Sequence, residues 1–158
     1  MSIFPTRILL ATDGSREAEL ASRTAADLSQ KTNSELHVVH VFGIAPVGPP
    51  VYPEGTSLQS VEFEAESDER QRISEQRARE VLEVEVQKIR SDGATVAGEH
   101  LLEGWVAPEI VGLAEEIGAG LIVLGSRGLG GIRRTLMGSI SDSVVRHAHC
   151  PVLVVREE

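Results

Sequence analysis

Apolar and polar positions alternate along the chain in blocks that predict five strands and four helices. Short continuous apolar runs rich in β-branched residues are typical of parallel strands that are buried on both faces. The stretches between these runs carry apolar residues at helical spacing, and the alternation of strand with helix predicts an α/β fold. We therefore expect one domain over residues 1–158, with an open five-stranded parallel sheet flanked by four helices. The predicted strands are residues 7–12, 36–42, 95–102, 121–124 and 152–155.

The segments between the strands have a clear helical character. The first helix is predicted to begin near Ser15 and to run through an alanine-rich stretch to about Lys31. Residues 62–92 are densely charged but carry an intermittent apolar stripe, which predicts one long amphipathic helix with a solvated outer face. The third helix has Pro108 near its beginning and follows Trp105. Trp105 is expected to anchor the start of this helix by packing, and the alternative is that it borders the ligand crevice.

Two segments depart from this regular pattern. The third strand contains Gly98, Glu99 and His100, so we expect it at a sheet edge, where one flank meets water. Residues 43–60 form a Pro/Gly-rich segment whose prolines, from position 46 to position 53, exclude regular structure there. We expect this segment to be a flexible loop within the single domain.

Composition narrows the functional classes. With 41% hydrophobic residues, a chain of 158 residues is long enough to bury one full core. A formal net charge of -9 and an aromatic content of 3% argue against nucleic-acid binding, because that binding requires basic and aromatic surfaces. The sequence has neither a signal-peptide pattern nor a membrane-spanning apolar run, and its one cysteine, Cys150, cannot form an internal disulfide. We therefore expect a cytoplasmic protein that does not bind membranes.

A glycine motif follows the fourth predicted strand. It consists of Gly125-Ser126-Arg127-Gly128, nine intervening residues, and Gly138-Ser139 at the start of the fourth helix. Glycines at 125, 128 and 138 are expected to permit positive φ and the close approach of a ligand. The order of strand, long loop and capped helix favours a phosphate-binding site. The alternative interpretation is a glycine-rich surface turn with solvated arginines.

The fourth helix supplies the expected hydrogen-bond donors. Ser139 is predicted to be its N-cap, with Asp142 as the partner in a capping-box-like arrangement. The amides of Ser139, Ile140 and Ser141 would then be unpaired donors of the first turn. Because the helix dipole lies behind them, these donors favour an anion such as phosphate.

A second polar loop follows the first predicted strand. In an open α/β sheet, ligands bind beyond the carboxyl ends of the strands, where the strand order reverses. If the order is 3-2-1-4-5, the segment Thr12-Asp13-Gly14-Ser15 meets residues 125–128 at this point. The Asp13 carboxylate would then accept from ribose hydroxyls or hold a phosphate-bound Mg²⁺ ion. The alternative is that Asp13 is only a turn residue before Gly14.

These segments together resemble the universal stress protein family, in its ATP-binding subgroup. The resemblance rests on residues 8–15, on His40-Val41 at the end of the second strand, and on the glycine motif running into residues 151–155. It covers nearly the whole chain and implies a Rossmann-like sheet of order 3-2-1-4-5. It also implies ATP as the ligand and a homodimer formed through Val152–Val155.

The resemblance assigns roles within the predicted site. Thr12 and Asp13 would contact the adenosine side of the nucleotide, and the main chain of Val41 would meet adenine. Gly125 and Gly128 would line the ribose and the α-phosphate. The outer phosphates would be held by the start of the fourth helix, at Gly138, Ser139, Ile140 and Ser141. The positions that complete the predicted site are Gly14, Ser15, Leu124, Ser126 and Arg127.

We therefore expect an ATP-binding stress-response protein that acts as a nucleotide-dependent switch or as an interaction module for a protein partner. The glycine motif lacks the Lys-Ser or Lys-Thr ending of a Walker A loop, so an ordinary P-loop ATPase is not expected. Two alternatives stay open. One is a slow ATPase or phosphotransfer enzyme that uses Asp13 and Mg²⁺, and the other is a dimeric interaction module that binds cyclic AMP or no nucleotide.

The histidines of the second strand do not predict a metal site. His37 and His40 lie three positions apart, so in a strand they face opposite sides. His40 is expected instead to be a hydrogen-bonded histidine of the core.

Overall fold

A computed structural model describes the backbone of residues 2–43, 58–126 and 137–157, and the side chains of these residues except 58–66. Most of the predicted loop at 43–60, and Arg127 and Gly128 of the predicted site, lie outside the described residues. The elements follow one another in the predicted order: β1 (Arg7–Ala11), α1 (Arg16–Thr32), β2 (Glu35–Phe42), α2 (Leu58–Ser91), β3 (Gly98–Glu103), α3 (Val106–Ile117), β4 (Leu121–Gly125), α4 (Ser139–His147) and β5 (Val152–Val155).

The five strands form one parallel sheet in the order β3-β2-β1-β4-β5, which confirms the predicted fold and strand order. In the central strand β1, Leu10 pairs with Val38 of β2 on one side and with Val123 of β4 on the other. β3 lies at one edge, as its polar composition predicted, and β5 lies at the other. The order reverses between β1 and β4, so a ligand site is expected at the carboxyl ends of these two strands.

Two apolar clusters cover the two faces of the sheet. Ile8 and Leu10 of β1 pack with α1 and α2 on one face, whereas Leu9 packs with α3 and α4 on the other. All three side chains are fully buried. Burial on both faces explains why the strands are continuous apolar runs in the sequence.

α1 begins where the sequence predicted. Ser15 is its N-cap, and the Ser15 hydroxyl accepts a hydrogen bond from the Ala18 amide at 3.2 Å. The helix is followed by Asn33 in a left-handed conformation, with a φ of 55°. Ala21 and Ala25 are fully buried, and their small side chains allow the helix to lie close to the sheet.

α2, with 34 residues, is the long amphipathic helix that the charged stretch predicted, but it begins at Leu58 instead of residue 62. Residues 58–60 are therefore helical, and the predicted loop was too long at this end. The buried stripe of α2 faces β2 and β3 and consists of residues at helical spacing. The apolar members of the stripe are Ala78, Leu82, Val86 and Ile89.

None of the described helices is long and apolar enough to cross a membrane.

Trp105 does not anchor α3, so the prediction of a packed indole was wrong. The side chain is 80% exposed. It precedes the first helical residue, whereas the buried face of α3 is formed by Ala107, Ile110 and Leu113. The helix ends before Gly118, which adopts a left-handed φ of 66°.

Candidate functional site

The carboxyl end of β4 lies directly against the start of α1. A Cβ added to Gly125 would lie 3.0 Å from the Glu17 carbonyl carbon and 3.2 Å from the Ala18 amide nitrogen. The Ser126 hydroxyl donates to Glu17 Oε2 at 2.7 Å. The loops that leave β1 and β4 are therefore neighbours at the switch point of the sheet, although their residues are more than one hundred positions apart in sequence.

The β1–α1 loop (residues 12–15) is held by local hydrogen bonds. Asp13 Oδ1 accepts from the Ser15 amide at 2.9 Å, and Thr12 Oγ1 accepts from the Gly14 amide at 3.3 Å. Gly14 has a φ of +77°, which favours glycine, and a Cβ there would lie 3.2 Å from the Val81 side chain of α2. Asp13 is thus a turn residue, as one interpretation held, and this turn places its half-buried carboxyl group at the switch point.

His40 fixes the same loop from β2. Its Nδ1 lies 2.7 Å from the Thr12 carbonyl oxygen. Because a carbonyl oxygen can only accept, His40 Nδ1 carries a proton and donates it. The expectation of a hydrogen-bonded histidine is confirmed, and the bond ties the end of β1 to the strand that carries Val41.

Val41 lies just beyond the paired part of the β1–β2 ladder. The β1–β2 register ends at the pair Ala11–Val39, whereas the β2–β3 register continues to the pair Phe42–Glu103. The Val41 side chain is buried in the core on the α3 and α4 face. Its backbone is therefore the part of the residue that a ligand at the switch point would meet.

The start of α4 differs from the prediction by one residue. Gly138 is the N-cap and Ser139 is the first helical residue, so the prediction of Ser139 as N-cap was wrong. Because the N-cap is glycine and has no side chain, the predicted capping box between Ser139 and Asp142 is not formed. The Asp142 carboxylate pairs with Arg146 at 2.9 Å. The amides of residues 139–141 still occupy the first turn, where helix geometry gives them no partner within the helix.

Gly138 and Gly125 are not left-handed, so the prediction of positive φ at these two glycines was wrong. Gly138 has a φ of -73° and a ψ of 163°, which any residue adopts. Gly125 does not have a positive φ either. Glycine is required there because α1 lies too close to leave room for a side chain. Space, rather than backbone conformation, accounts for glycine at position 125.

Ser126 uses all of its polar groups within the protein. Its amide donates to the Val155 carbonyl at 2.8 Å, and its carbonyl accepts from the Gly138 amide at 2.6 Å and from the Ser141 hydroxyl at 2.8 Å. Together with the bond to Glu17, we call these contacts the Ser126 network. Ser126 and Ser141 are 1% and 2% exposed. The two side chains are therefore buried, and their hydrogen bonds connect α1, β4 and α4 at the site.

Sequence reasoning missed Glu17. It lies in the first turn of α1, where an acidic residue is commonly explained by the helix dipole alone. The adjacency of β1 and β4 was the signal that could have found it, because that adjacency brings the first turn of α1 against the end of β4. Among the described residues, no group of three or more His, Cys, Asp or Glu side chains is arranged to hold a metal ion.

Comparison with known proteins identifies relatives of this sequence and of this fold. The sequence matches the universal stress protein family over residues 5–156. A universal stress protein of Methanocaldococcus jannaschii is 33% identical over 152 residues, covering 96% of this chain and 82% of that protein. The solved structure of universal stress protein UspA from Lactobacillus plantarum has the same fold, with a TM-score of 0.80 at 23% identity over 97% of this chain and 99% of that one. A universal stress protein from Archaeoglobus fulgidus, solved in complex with dAMP, is 28% identical with a TM-score of 0.61, over 98% of this chain and 99% of that one.

Proposed function

Because the chain belongs to the universal stress protein family, we propose that it binds ATP in the crevice between the β1–α1 loop and the first turn of α4. The observation that carries this proposal is the position of that turn. Three unpaired amides, at residues 139–141, begin a helix that the Ser126 network fixes beside the carboxyl ends of β1 and β4. A helix start at a topological switch point suits a phosphate group.

The adenosine side of the nucleotide is assigned to the other wall of the crevice. Thr12 and Asp13 lie at the end of β1, and the Val41 backbone lies beyond the last β1–β2 pair. The dAMP complex of the Archaeoglobus fulgidus relative supports an adenine nucleotide as the ligand class. The triphosphate is our extension, and it rests on the donors of α4. A Mg²⁺ ion would arrive with the triphosphate and be held by its oxygens and by Asp13.

We further propose that bound ATP acts as a switch for recognition of a protein partner. The supporting observation is that the Ser126 network and His40 join β1, β2, β4, α1 and α4, the elements to which the proposed site belongs. A ligand that contacts several elements changes their relative stability and thereby the surfaces they present. This role is the nucleotide-dependent switch in the stress response that the sequence predicted.

Titration calorimetry with ATP tests the binding proposal. We expect the wild-type protein to bind, and Gly138→Val to weaken binding at least about tenfold, or about 1.4 kcal/mol, because a branched side chain at the N-cap obstructs the approach to the α4 amides. Gly112→Val is the matched control, because a Cβ at Gly112 meets nothing within 4 Å. Lack of wild-type binding at millimolar ATP would refute the proposal. Undiminished binding by Gly138→Val would refute the location at α4.

We also propose a homodimer formed through the outer edge of β5. The Pro151 carbonyl accepts a hydrogen bond from Ile122 of β4, and the Val155 carbonyl accepts one from Ser126, which follows β4. Because successive strand residues point their backbone groups in opposite directions, the backbone groups of Val152 and Val154 face away from β4. A second copy of the chain would find these groups and a row of half-buried aliphatic side chains at this edge.

A further inference from the structure

Ser126 is the point at which four elements meet. It follows β4, it donates its amide proton to β5, it donates its hydroxyl proton to Glu17 of α1, and its carbonyl accepts two bonds from the start of α4. Ser126 and Ser141 are both almost completely buried. Such buried and fully bonded polar networks specify one arrangement of the elements that they join, because any other arrangement leaves a buried polar group without a partner.

α4 packs against α3 and lies beside β5, but few of its side chains are buried. The helix has nine residues, and its buried members are Ser141 and Val144. Val144 and the partly buried Ala148 pack in the cluster that α4 shares with α3, which fixes the C-terminal half of the helix. The Ser141 hydroxyl, one turn before Val144, donates to the Ser126 carbonyl at 2.8 Å and also lies 3.1 Å from the Gly138 carbonyl, so it ties the first turn of α4 to the end of β4.

We infer that Ser141 and Glu17 are positioning residues that aim the first-turn amides of α4 at the nucleotide phosphates, with Ser141 acting directly on α4 and Glu17 acting through Ser126. This inference rests on the proposed function, because it concerns the phosphate side of the same site. It assigns to the Ser141 hydroxyl a bond within the protein in place of a bond to phosphate.

Glu17 belongs to the Ser126 network because its carboxylate accepts a hydrogen bond from the Ser126 hydroxyl. The Glu17 carboxylate lies 2.7 Å from that hydroxyl, and the close approach of α1 to Gly125 brings the two side chains together. Glutamine at position 17 keeps an acceptor oxygen in this place, whereas alanine removes it. The pair Glu17→Gln and Glu17→Ala therefore separates the hydrogen bond from the charge.

The expected loss of binding affinity is specific to ligands that carry phosphate groups. The adenosine side is held by the β1–α1 loop and Val41, which the Ser141 hydroxyl does not touch. Loss of that hydroxyl is therefore expected to weaken ATP binding roughly three- to tenfold, the effect of one buried hydrogen bond, and to leave adenosine binding unchanged. A residue with only a structural role would lower both affinities together.

The test compares ATP and adenosine affinities of Ser141→Ala, Glu17→Ala and Glu17→Gln with those of the wild type. Ser143→Ala, in the same helix but outside the Ser126 network, is the matched control. We expect a selective loss for ATP in Ser141→Ala and Glu17→Ala, with recovery in Glu17→Gln. Equal losses for ATP and adenosine, or unchanged ATP affinity in Ser141→Ala, would overturn the inference.

Hydrogen exchange of the Gly138 amide provides a readout that needs no nucleotide. This amide donates to the Ser126 carbonyl at 2.6 Å, so its exchange reports directly on the contact between α4 and β4. We expect faster exchange in Ser141→Ala than in Ser143→Ala. Wild-type protein that binds neither ATP nor adenosine would refute the proposed function, whereas unchanged exchange at Gly138 would refute the positioning role.

Discussion

At position 125, the absence of a side chain allows β4 and α1 to meet. A Cβ there would lie 3.0 Å from both the carbonyl carbon and the Cβ of Glu17, and the backbone of a helix cannot yield easily. We predict that Gly125→Ala lowers the free energy of unfolding by about 1–3 kcal/mol, the usual effect of overpacking. Urea-induced unfolding, followed by circular dichroism, measures this change.

Gly112 provides the matched comparison for this substitution. It lies on the exposed side of α3, and a Cβ there meets nothing within 4 Å. Gly112→Ala should therefore stabilise the protein by about 0.5–1 kcal/mol, because alanine loses less entropy than glycine in a helix. Equal unfolding energies for the two variants would contradict the steric explanation of Gly125.

The same residues show how far the sequence can define a site. Asp13 and Gly138 were placed from the order of strand, loop and helix, because that order follows from local patterns. Glu17 was not, because its role depends on a contact 109 positions away in the sequence. The N-cap was misplaced by one residue because both glycine and serine are favoured at that position.

At the level of elements, β2 and β3 are joined by a pair of histidines near their amino ends. His37 Nδ1 and His100 Nε2 lie 3.1 Å apart, so one ring must donate and the other accept. His37 Nε2 lies 3.6 Å from the Glu35 carboxylate, which also pairs with Arg7. A Cβ on Gly98 would collide with the His37 ring, so glycine at the start of β3 provides the room for this pair.

Protonation of His100 is expected to weaken the fold. Burial, followed by repulsion from His37, lowers the pKa of His100 below its ordinary value, and Glu116 acts in the opposite direction. The unfolded chain therefore binds this proton more readily than the folded protein does. The contribution of His100 to the free energy of unfolding is fully present above about pH 6.5. It is lost as the pH falls from there through the lower pKa of the folded state.

Chemical unfolding between neutral and mildly acidic pH tests this prediction. The wild-type free energy of unfolding should fall with pH, and His100→Gln, whose amide can still bond His37, should reduce that slope. His147→Gln, on the exposed end of α4, is the matched histidine substitution outside this pair. An unaltered slope in His100→Gln would assign the pH dependence to other groups.

Elements with a regular period were predicted well, and single exposed residues at their ends were not. The sheet and its helices follow from apolar runs and helical spacing, which reflect burial on both faces. Trp105 was misjudged because size and hydrophobicity alone suggest packing, whereas the burial of a residue at a helix end depends on the direction in which the helix lies. The third strand begins at Gly98 instead of residue 95, since its ladder with β2 starts at His37.

At the scale of the whole molecule, the two sheet edges differ. β3 carries polar side chains, whereas β5 carries four half-buried aliphatic residues at the proposed dimer contact. We predict that Val154→Pro converts a dimer into a monomer, because it removes an outward N–H group without breaking the ladder to β4. Light scattering after size-exclusion chromatography measures the mass.

Leu101→Pro, placed in the opposite edge strand β3, serves as the comparison for this substitution. Its stability is expected to fall, but its mass in the folded state should equal that of the wild type. Circular dichroism establishes that each variant is folded before its mass is compared. A wild-type protein of monomeric mass, or a dimeric Val154→Pro variant with native circular dichroism, would exclude β5 as the dimer contact.

The separation between Glu17 and Ser126 also sets the time at which the site can exist during protein synthesis. β1 can pair with β2 as soon as β2 leaves the ribosome, but its β4 side must wait for about 80 more residues, or roughly 4–16 s of translation. Until then the β4 edge of the central strand has no partner strand. The Ser126 network also includes the Val155 carbonyl, so the proposed site is complete only after β5 has been made, and shorter chains are not expected to bind.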